Sequence, residues 1–147
     1  MLLRAFKPED LETLYQIDSA CFPPGVSYSM DELRAFITHH NSKTWVAVED
    51  GKSAGFLIAQ KAPYPSVHII TIDVTEEARR RGVGSALMDA AEEWAERQGA
   101  KQLALETAED NHAAQSFYAN RGYAKVDKLE GYYDNGAAAW VMIKRLP

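Results

Sequence analysis

Hydrophobic and polar positions follow two rhythms along this chain, and each change of rhythm marks an element. Leu2–Phe6 reads as an edge strand. Pro8 then suits a first helical turn, and Glu9 and Asp10 follow at the end where a helix dipole favours acids. Leu11, Leu14, Ile17 and Cys21 recur at helical spacing. Phe22-Pro23-Pro24-Gly25 must stop that helix. Ser29-Met30-Asp31-Glu32 has the Ser-x-x-Glu form of a capping box, so a second helix is predicted from there to about His39. Trp45–Val48 and Ala54–Gln60 read as strands joined by the turn Glu49-Asp50-Gly51-Lys52. Val67–Val74 is so rich in Ile and Val that burial on both faces is expected. Val83, Leu87, Ala90, Ala91 and Trp94 line one side of a third helix. Asp89, Glu92, Glu93 and Glu96 line its other side, read as a solvated face, and Gly99 ends it. Gln102–Glu106 is a strand, Asn111–Asn120 a short helix closed by Gly122, and Tyr123–Lys128 with Ala138–Arg145 a final strand pair.

The resulting order, β-α-α-β-β-β-α-β-α-β-β, describes an α/β (α+β) domain. It predicts a mixed, twisted β-sheet with helices on both faces, the third helix crossing between two parallel strands. The 147 residues suit one domain over 1–147, and a 46% hydrophobic composition can supply its core. The net charge of −5 argues against nucleic acid as a partner. The single cysteine, Cys21, cannot form an internal disulfide, and no Cys/His spacing resembles a metal site. Met1-Leu2-Leu3 runs directly into Arg4, and no apolar run reaches membrane-spanning length. A cytoplasmic protein without a membrane partner is expected, as monomer or homodimer.

The overall acidity is reversed at one place. Arg79-Arg80-Arg81-Gly82-Val83-Gly84-Ser85 follows the Ile/Val-rich strand and opens the third helix. A helix N-terminus presents unpaired N–H groups and a positive dipole end, and glycines let an anion approach the backbone. This pattern points to a phosphate-bearing ligand, against the plainer reading of a solvated basic turn. It is not a P-loop, which would end Gly-Lys-Ser/Thr, and not a dinucleotide fingerprint, whose third glycine would fall at Leu87.

The Arg-x-x-Gly-x-Gly loop (Arg79, Gly82, Gly84) and the later Asn111-x-x-Ala114-x-x-x-Tyr118 resemble the GCN5-related N-acetyltransferase (GNAT) superfamily. The resemblance covers essentially the whole chain and is strongest from His68 to Tyr123. Phe22-Pro23 with Tyr28, and Tyr132-Tyr133-x-x-Gly136, are similar to segments of the enzymes that acetylate protein N-termini, including the bacterial ribosomal-protein-alanine type. The resemblance implies acetyl-coenzyme A as cofactor and a primary amine as acceptor, with a protein N-terminus as the candidate partner. It implies that Ile72, Asp73 and Val74 offer backbone groups to the acetyl-pantetheine arm. Arg79, Arg80, Arg81, Gly82, Val83, Gly84 and Ser85 would hold the pyrophosphate, and Asn111 would touch the cofactor. Tyr118 would be the general acid at the sulfur. Glu106, or a pair drawn from His68 and Glu106, would supply the general base. Phe22, Pro23, Tyr28, Tyr132 and Tyr133 would flank the acceptor.

The residue types suit that chemistry. An attacking amine must lose a proton, which Glu or His can take. Developing oxyanion charge needs a donor such as the Val74 N–H. Plainer readings stand beside these: His68 as a core histidine, on one strand face with Ile70 and Ile72; Asn111 as a helix cap; Tyr118 as a packing ring; and Trp45, Trp94 and Trp140 as core or sheet packing. Cys21 lies far from the motif in sequence, so transfer is expected to be direct rather than through an acetyl-enzyme. The run Ala137-Ala138-Ala139 stands where the N-terminal acetyltransferases usually carry an acid, which bears on the acceptor and not on the fold. The alternatives are a small-amine acetyltransferase acting on a polyamine, amino acid or drug, and a non-catalytic acetyl-coenzyme A sensor.

Overall fold

The computed structural model describes every residue, Met1–Pro147. The elements follow the expected order: β1 (Leu2–Ala5), α1 (Leu11–Cys21), α2 (Met30–Thr38), β2 (Ser42–Glu49), β3 (Lys52–Lys61), β4 (Ser66–Val74), α3 (Val83–Arg97), β5 (Gln102–Ala108), α4 (His112–Asn120), β6 (Ala124–Leu129) and β7 (Ala139–Arg145). Local chemistry sets several boundaries. Ser29 Oγ accepts from the Glu32 N–H at 3.1 Å, and Glu32 Oε1 accepts from the Ser29 N–H at 2.9 Å, closing the capping box of α2. Asp50 and Gly51 take φ values of 50° and 77°, as a tight β2–β3 hairpin needs. No helix is long and apolar enough to cross a membrane.

All seven strands form one sheet in the order β1-β2-β3-β4-β5-β7-β6. Only β4 and β5 pair in parallel, and α3 is the crossover between them. Helices cover both faces. Leu87, Met88, Ala91 and Ala95 of α3 and Tyr118 of α4 cluster with Leu57, Ala59, Val67 and Ile69. Leu14 and Ile17 of α1 and Leu33 of α2 cluster with Val46, Phe56 and Ile58 on the other face. Strand β3 feeds the two layers alternately, as a pleated strand must.

Strand β4 breaks that alternation. Ile58 pairs with Thr71 but Ala59 pairs with Ile69, so Ile70 is an extra, bulged residue. Before the bulge, Val67 and Ile69 join the α3 cluster. After it, Ile72 and Val74 pack against that cluster, while Asp73 turns to the opposite side and meets Asp18 of α1. The expected shared face of His68, Ile70 and Ile72 therefore ends at Ile70. Both faces of the strand are covered in part: Val67 and Ile69 are buried on the α3 side and Asp73 on the α1 side, while His68, Ile70, Ile72 and Val74 are half-buried.

The acidic face of α3 differs from expectation at one residue. Glu92 is half-buried, because its carboxylate gathers Arg121 Nη2 (3.2 Å), Lys144 Nζ (2.9 Å) and the Tyr123 hydroxyl (2.9 Å). It thus ties α3 to the end of α4 and to β7. Its neighbour Glu93 makes an exposed i,i+4 pair with Arg97. Glu92→Ala is expected to lower stability by about 2 kcal/mol, since two cations and a hydroxyl lose their shared acceptor. Glu93→Ala should change it by less than about 0.5 kcal/mol. Denaturant unfolding of both variants checks this, and equal losses would mean that the Glu92 cluster contributes no more than a surface pair.

Candidate active site

Parallel pairing between β4 and β5 lasts three residues: Ser66 with Gln102, Val67 with Leu103, and His68 with Ala104. Beyond His68 the strands part, and the V between them is a cleft of ≈ 830 Å³. Ile70, Ile72 and Val74 line one wall and Glu106, Thr107 and Ala108 the other. Phe117 and Tyr118 of α4 close the cleft from the α3 side.

At the open end lies the start of α3. Gly82, at φ 81°, is its N-cap, and no side chain caps the helix. The first helical hydrogen bond runs from the Ala86 N–H to the Gly82 carbonyl at 3.0 Å, so the N–H groups before it point out of the helix end. Arg79 and Arg80 line the cleft beside Gly84. Arg79 Nε donates to the Val74 carbonyl at 3.2 Å, fixing the loop to the end of β4. Arg80 takes φ 66°, a left-handed value costly for a side chain with a Cβ and seen where surroundings impose it. A Cβ on Gly84 would stand 3.3 Å from Phe117, so a larger residue there would wedge against α4 or fill the cleft. Arg81, Gly82 and Ser85 are exposed on the outer loop, and Val83 puts its side chain in the core and can offer only backbone. This end fits a polyanion such as a pyrophosphate.

At the closed end are the titratable groups. His68 Nε2 lies 2.7 Å from Glu106 Oε1. With the carboxylate ionised, it can only accept, and the hydrogen of the contact then belongs to Nε2. The Tyr132 hydroxyl donates to the same oxygen at 3.2 Å. Burial, reinforced by the Glu106 charge, pushes the Tyr132 hydroxyl up to about 12. His68 is therefore a half-exposed partner of Glu106 rather than a core histidine, and it stands behind the cleft wall that Glu106 itself lines. Tyr118 lines the cleft, packed edge-on against Phe117 at 5.4 Å and Tyr123 at 5.9 Å. Burial above all, then Asp73 and Tyr133, raises its ionisation above the ordinary tyrosine range.

The remaining predicted residues separate into two groups. Phe22, Pro23, Tyr28 and Tyr133 line the cleft, with Tyr132 against Tyr133 at 4.9 Å. The Tyr28 hydroxyl donates to the Ile70 carbonyl, at the bulge, at 3.4 Å. Asn111 lines the cleft and also caps α4, its side chain accepting from the Ala114 N–H at 3.1 Å. Ile72 and Val74 line it, whereas Asp73 is 1% exposed and offers only backbone. Some lining residues were not legible beforehand. Phe117 had a helical signal but no chemical one. Asn135 was hidden because a long-range contact sets its place: the Asp134 N–H donates to the Gly25 carbonyl at 3.0 Å, and a Cβ on Gly25 would lie 2.7 Å from Asn135. Cys21, remote in sequence, stands beside the motif in space: its thiol donates to the Val74 carbonyl at 3.4 Å and accepts from Arg79 at 3.7 Å. Burial outweighs Arg79 and raises that thiol, which leaves it a poor nucleophile.

The sequence profile of the acetyltransferase (GNAT) family matches residues 11–123. An uncharacterised N-acetyltransferase of Methanocaldococcus jannaschii is 28% identical over 148 residues, which cover 100% of this chain and 93% of that protein. An N-alpha-acetyltransferase of Saccharolobus solfataricus is 25% identical over 159 residues, covering 98% and 92% of the two chains. The crystal structure of Ard1 from Thermoplasma volcanium superposes with a TM-score of 0.89 at 27% identity, over 99% of this chain and 97% of that one. With the sheet opening between β4 and β5 and the Arg-Gly loop at the head of α3, these matches show that the chain belongs to the GNAT family of N-acetyltransferases.

Proposed function

We propose that this acetyltransferase moves the acetyl group of acetyl-coenzyme A directly onto the α-amine of a peptide or protein N-terminus. The observation that carries the reading is the His68–Glu106 contact at 2.7 Å, at the point where the strands part. It sets a carboxylate at the closed end of a cleft whose open end fits a pyrophosphate. Similarity to an N-alpha-acetyltransferase supports the choice of acceptor. A second reading, a small-amine acceptor, draws on Asp110, the other carboxylate lining the cleft. Five aromatic or apolar residues beside only two lining carboxylates, Glu106 and Asp110, are the weaker fit to a polyamine.

When bound, acetyl-coenzyme A supplies the acetyl group as an activated thioester. The N–H groups at the head of α3, with Arg79 and Arg80, would hold its phosphates, and the backbone of Ile72–Val74 would hold the arm. Glu106 would take the proton of the acceptor amine, directly or through water, its other oxygen fixed by His68 and Tyr132. An α-amine has a pKa near 8, against about 10.4 for lysine, so a carboxylate meets it with a smaller penalty. Tyr118 keeps its proton through neutral pH. Its raised ionisation makes full proton transfer to a thiolate of pKa near 8.5 uphill, so it would act by donating a hydrogen bond as charge builds on sulfur. The Val74 N–H is the candidate donor to the developing oxyanion. Tyrosines 28 and 133 can pack the acceptor's first side chains and hydrogen-bond its backbone.

Acetyl-coenzyme A at about a hundred times its dissociation constant should stabilise the fold by roughly 2.7 kcal/mol. Gly84→Val should remove that thermal shift. Absence of any shift in the wild type at millimolar ligand would sink the cofactor assignment.

Tyr118→Phe should leave cofactor affinity nearly unchanged and cut turnover roughly a hundredfold. Turnover within about twofold of wild type would mean that Tyr118 does not stabilise the charge building on sulfur. Glu106→Gln should lose most rate at neutral pH and recover part of it at high pH, where free amine is abundant. Identical pH profiles for the two proteins would remove Glu106 from the base role.

The acceptor is tested by comparing short peptides with free N-termini, the same peptides blocked but carrying lysine, and spermidine. The free N-terminus should give the highest kcat/KM. A higher value for blocked lysine peptide or spermidine would overturn the reading.

A further inference from the structure

Beneath the acceptor side of the cleft lie two carboxyl groups that the proposed chemistry does not use. Asp18 of α1 is 0% exposed and Asp73 of β4 is 1% exposed. They face each other because the bulge at Ile70 turns Asp73 away from α3 and towards α1. Each has one oxygen otherwise satisfied. Asp73 Oδ1 accepts from the Thr71 hydroxyl, and Asp18 Oδ2 accepts from the Tyr28 N–H at 2.7 Å. The remaining two oxygens, Asp18 Oδ1 and Asp73 Oδ2, are buried and have no hydrogen-bond partner.

We infer that Asp18 and Asp73 hold one proton between them, and that this pair is a positioning unit for the acceptor side of the cleft. Two buried carboxylates in contact cannot both be ionised cheaply, and one shared proton gives both orphaned oxygens a partner. The surroundings agree. Burial and Asp18 together raise Asp73 well above the usual carboxylate range. The other titratable groups facing the pair are Cys21 of α1, Tyr28 of the α1–α2 loop and Tyr118 of α4, and the carboxyl charges raise the ionisation of each. The cation Arg79 reaches only as far as the Cys21 sulfur. Nothing but the proton neutralises the pair.

The functional consequence runs through Tyr28. Its N–H is held by Asp18 and its hydroxyl by the Ile70 carbonyl, so the ring that lines the cleft is fixed at both ends. Asp73 and Asp18 touch neither substrate nor cofactor as side chains. They act on the acceptor through the Tyr28 backbone. This part of the inference rests on the acceptor entering beside Tyr28, whereas proton sharing does not.

The proton fixes the sign of a pH effect. Below about pH 4 both the folded and the unfolded chain keep the proton. Above that the unfolded chain releases it and the folded pair retains it, so the fold loses stability as pH rises, until the pair itself ionises. Asp73→Asn replaces the shared proton by a fixed N–H donor. Its unfolding midpoint, followed from pH 5 to 9 on the full chain, should fall less steeply with pH than that of the wild type. Parallel curves would overturn the shared proton. If the variant does not fold, ¹³C-aspartate labelling of the wild-type protein decides the matter. A buried carboxyl resonance still at its protonated position at pH 7 is the expected result, and ionised positions for every aspartate would refute it. Neither measurement needs an acceptor, so they stand or fall apart from the proposed function. The positioning role is read with whichever amine acceptor is turned over. Asp18→Ala should raise its KM roughly tenfold, the scale of a lost charge-assisted hydrogen bond, with coenzyme A affinity unchanged. Asp18→Asn, which still accepts from Tyr28, should restore most of it. Equal KM values for the alanine and asparagine variants would refute the positioning role.

Discussion

Parallel strands in a sheet are normally held side by side along their length by a covering helix. Here the covering helix is present, but the pairing of β4 with β5 stops at His68 and Ala104. Everything functional depends on that early stop. Backbone groups of β4 beyond His68 lose β5 as a partner, and the rest of the sheet must hold the strand in place. The antiparallel partner β3 does so along the whole stretch from Lys61 to Gly55. Gly55 is part of this close fit, since a Cβ there would come 2.5 Å from the Asp73 carbonyl. Strand β5 is held in turn by β7, paired from Gln102 to Ala108. Two well-supported walls can diverge without unfolding, which a pair of edge strands could not do.

The bulge at Ile70 works with the split. A strand of strict alternation would send Ile72 to the α1 side and Asp73 to the α3 side. One extra residue exchanges them. Apolar Ile72 and Val74 then line the cleft and pack against the α3 cluster, while Asp73 is taken into the interior beside α1. The same bulge presents the Ile70 carbonyl that the Tyr28 hydroxyl uses. One backbone irregularity therefore shapes the wall, places the buried carboxyl pair and anchors an acceptor-side tyrosine.

The order of elements, the crossover and the Arg-Gly loop were legible in the sequence because each is a local signal. Capping, turn chemistry and helix periodicity act within a few residues, and the unpaired N–H groups at the head of α3 need only its own backbone. The bulge was not legible. In Val67–Val74 branched residues occupy both phases of the two-residue period, so no change of phase is visible. Glu92 was misread for a related reason: an acid on a polar helix face looks solvated until Arg121, Tyr123 and Lys144 arrive from distant segments. His68 and Glu106 were both legible as candidates, but their 2.7 Å contact is a property of the parallel register. Pairing His68 with Ala104 places Glu106 two residues further along the neighbouring strand, on the same side of the sheet.

These features give the cleft a direction. Its closed end holds Glu106, and its open end holds Arg79, Arg80 and the positive end of α3. From His68 to Val74 is six residues of strand, roughly 20 Å. Over that span the local charge reverses in a chain whose net charge is −5. The walls between are apolar, which keeps the local dielectric low and the two ends distinct. The field along the cleft therefore favours an anion at one end and a cation at the other. Tyr28, Tyr132 and Tyr133 carry no charge at neutral pH, as phenols do, and burial raises their ionisation further. They leave that polarity undisturbed, and Glu106 stands as the carboxylate of the cleft wall at the closed end.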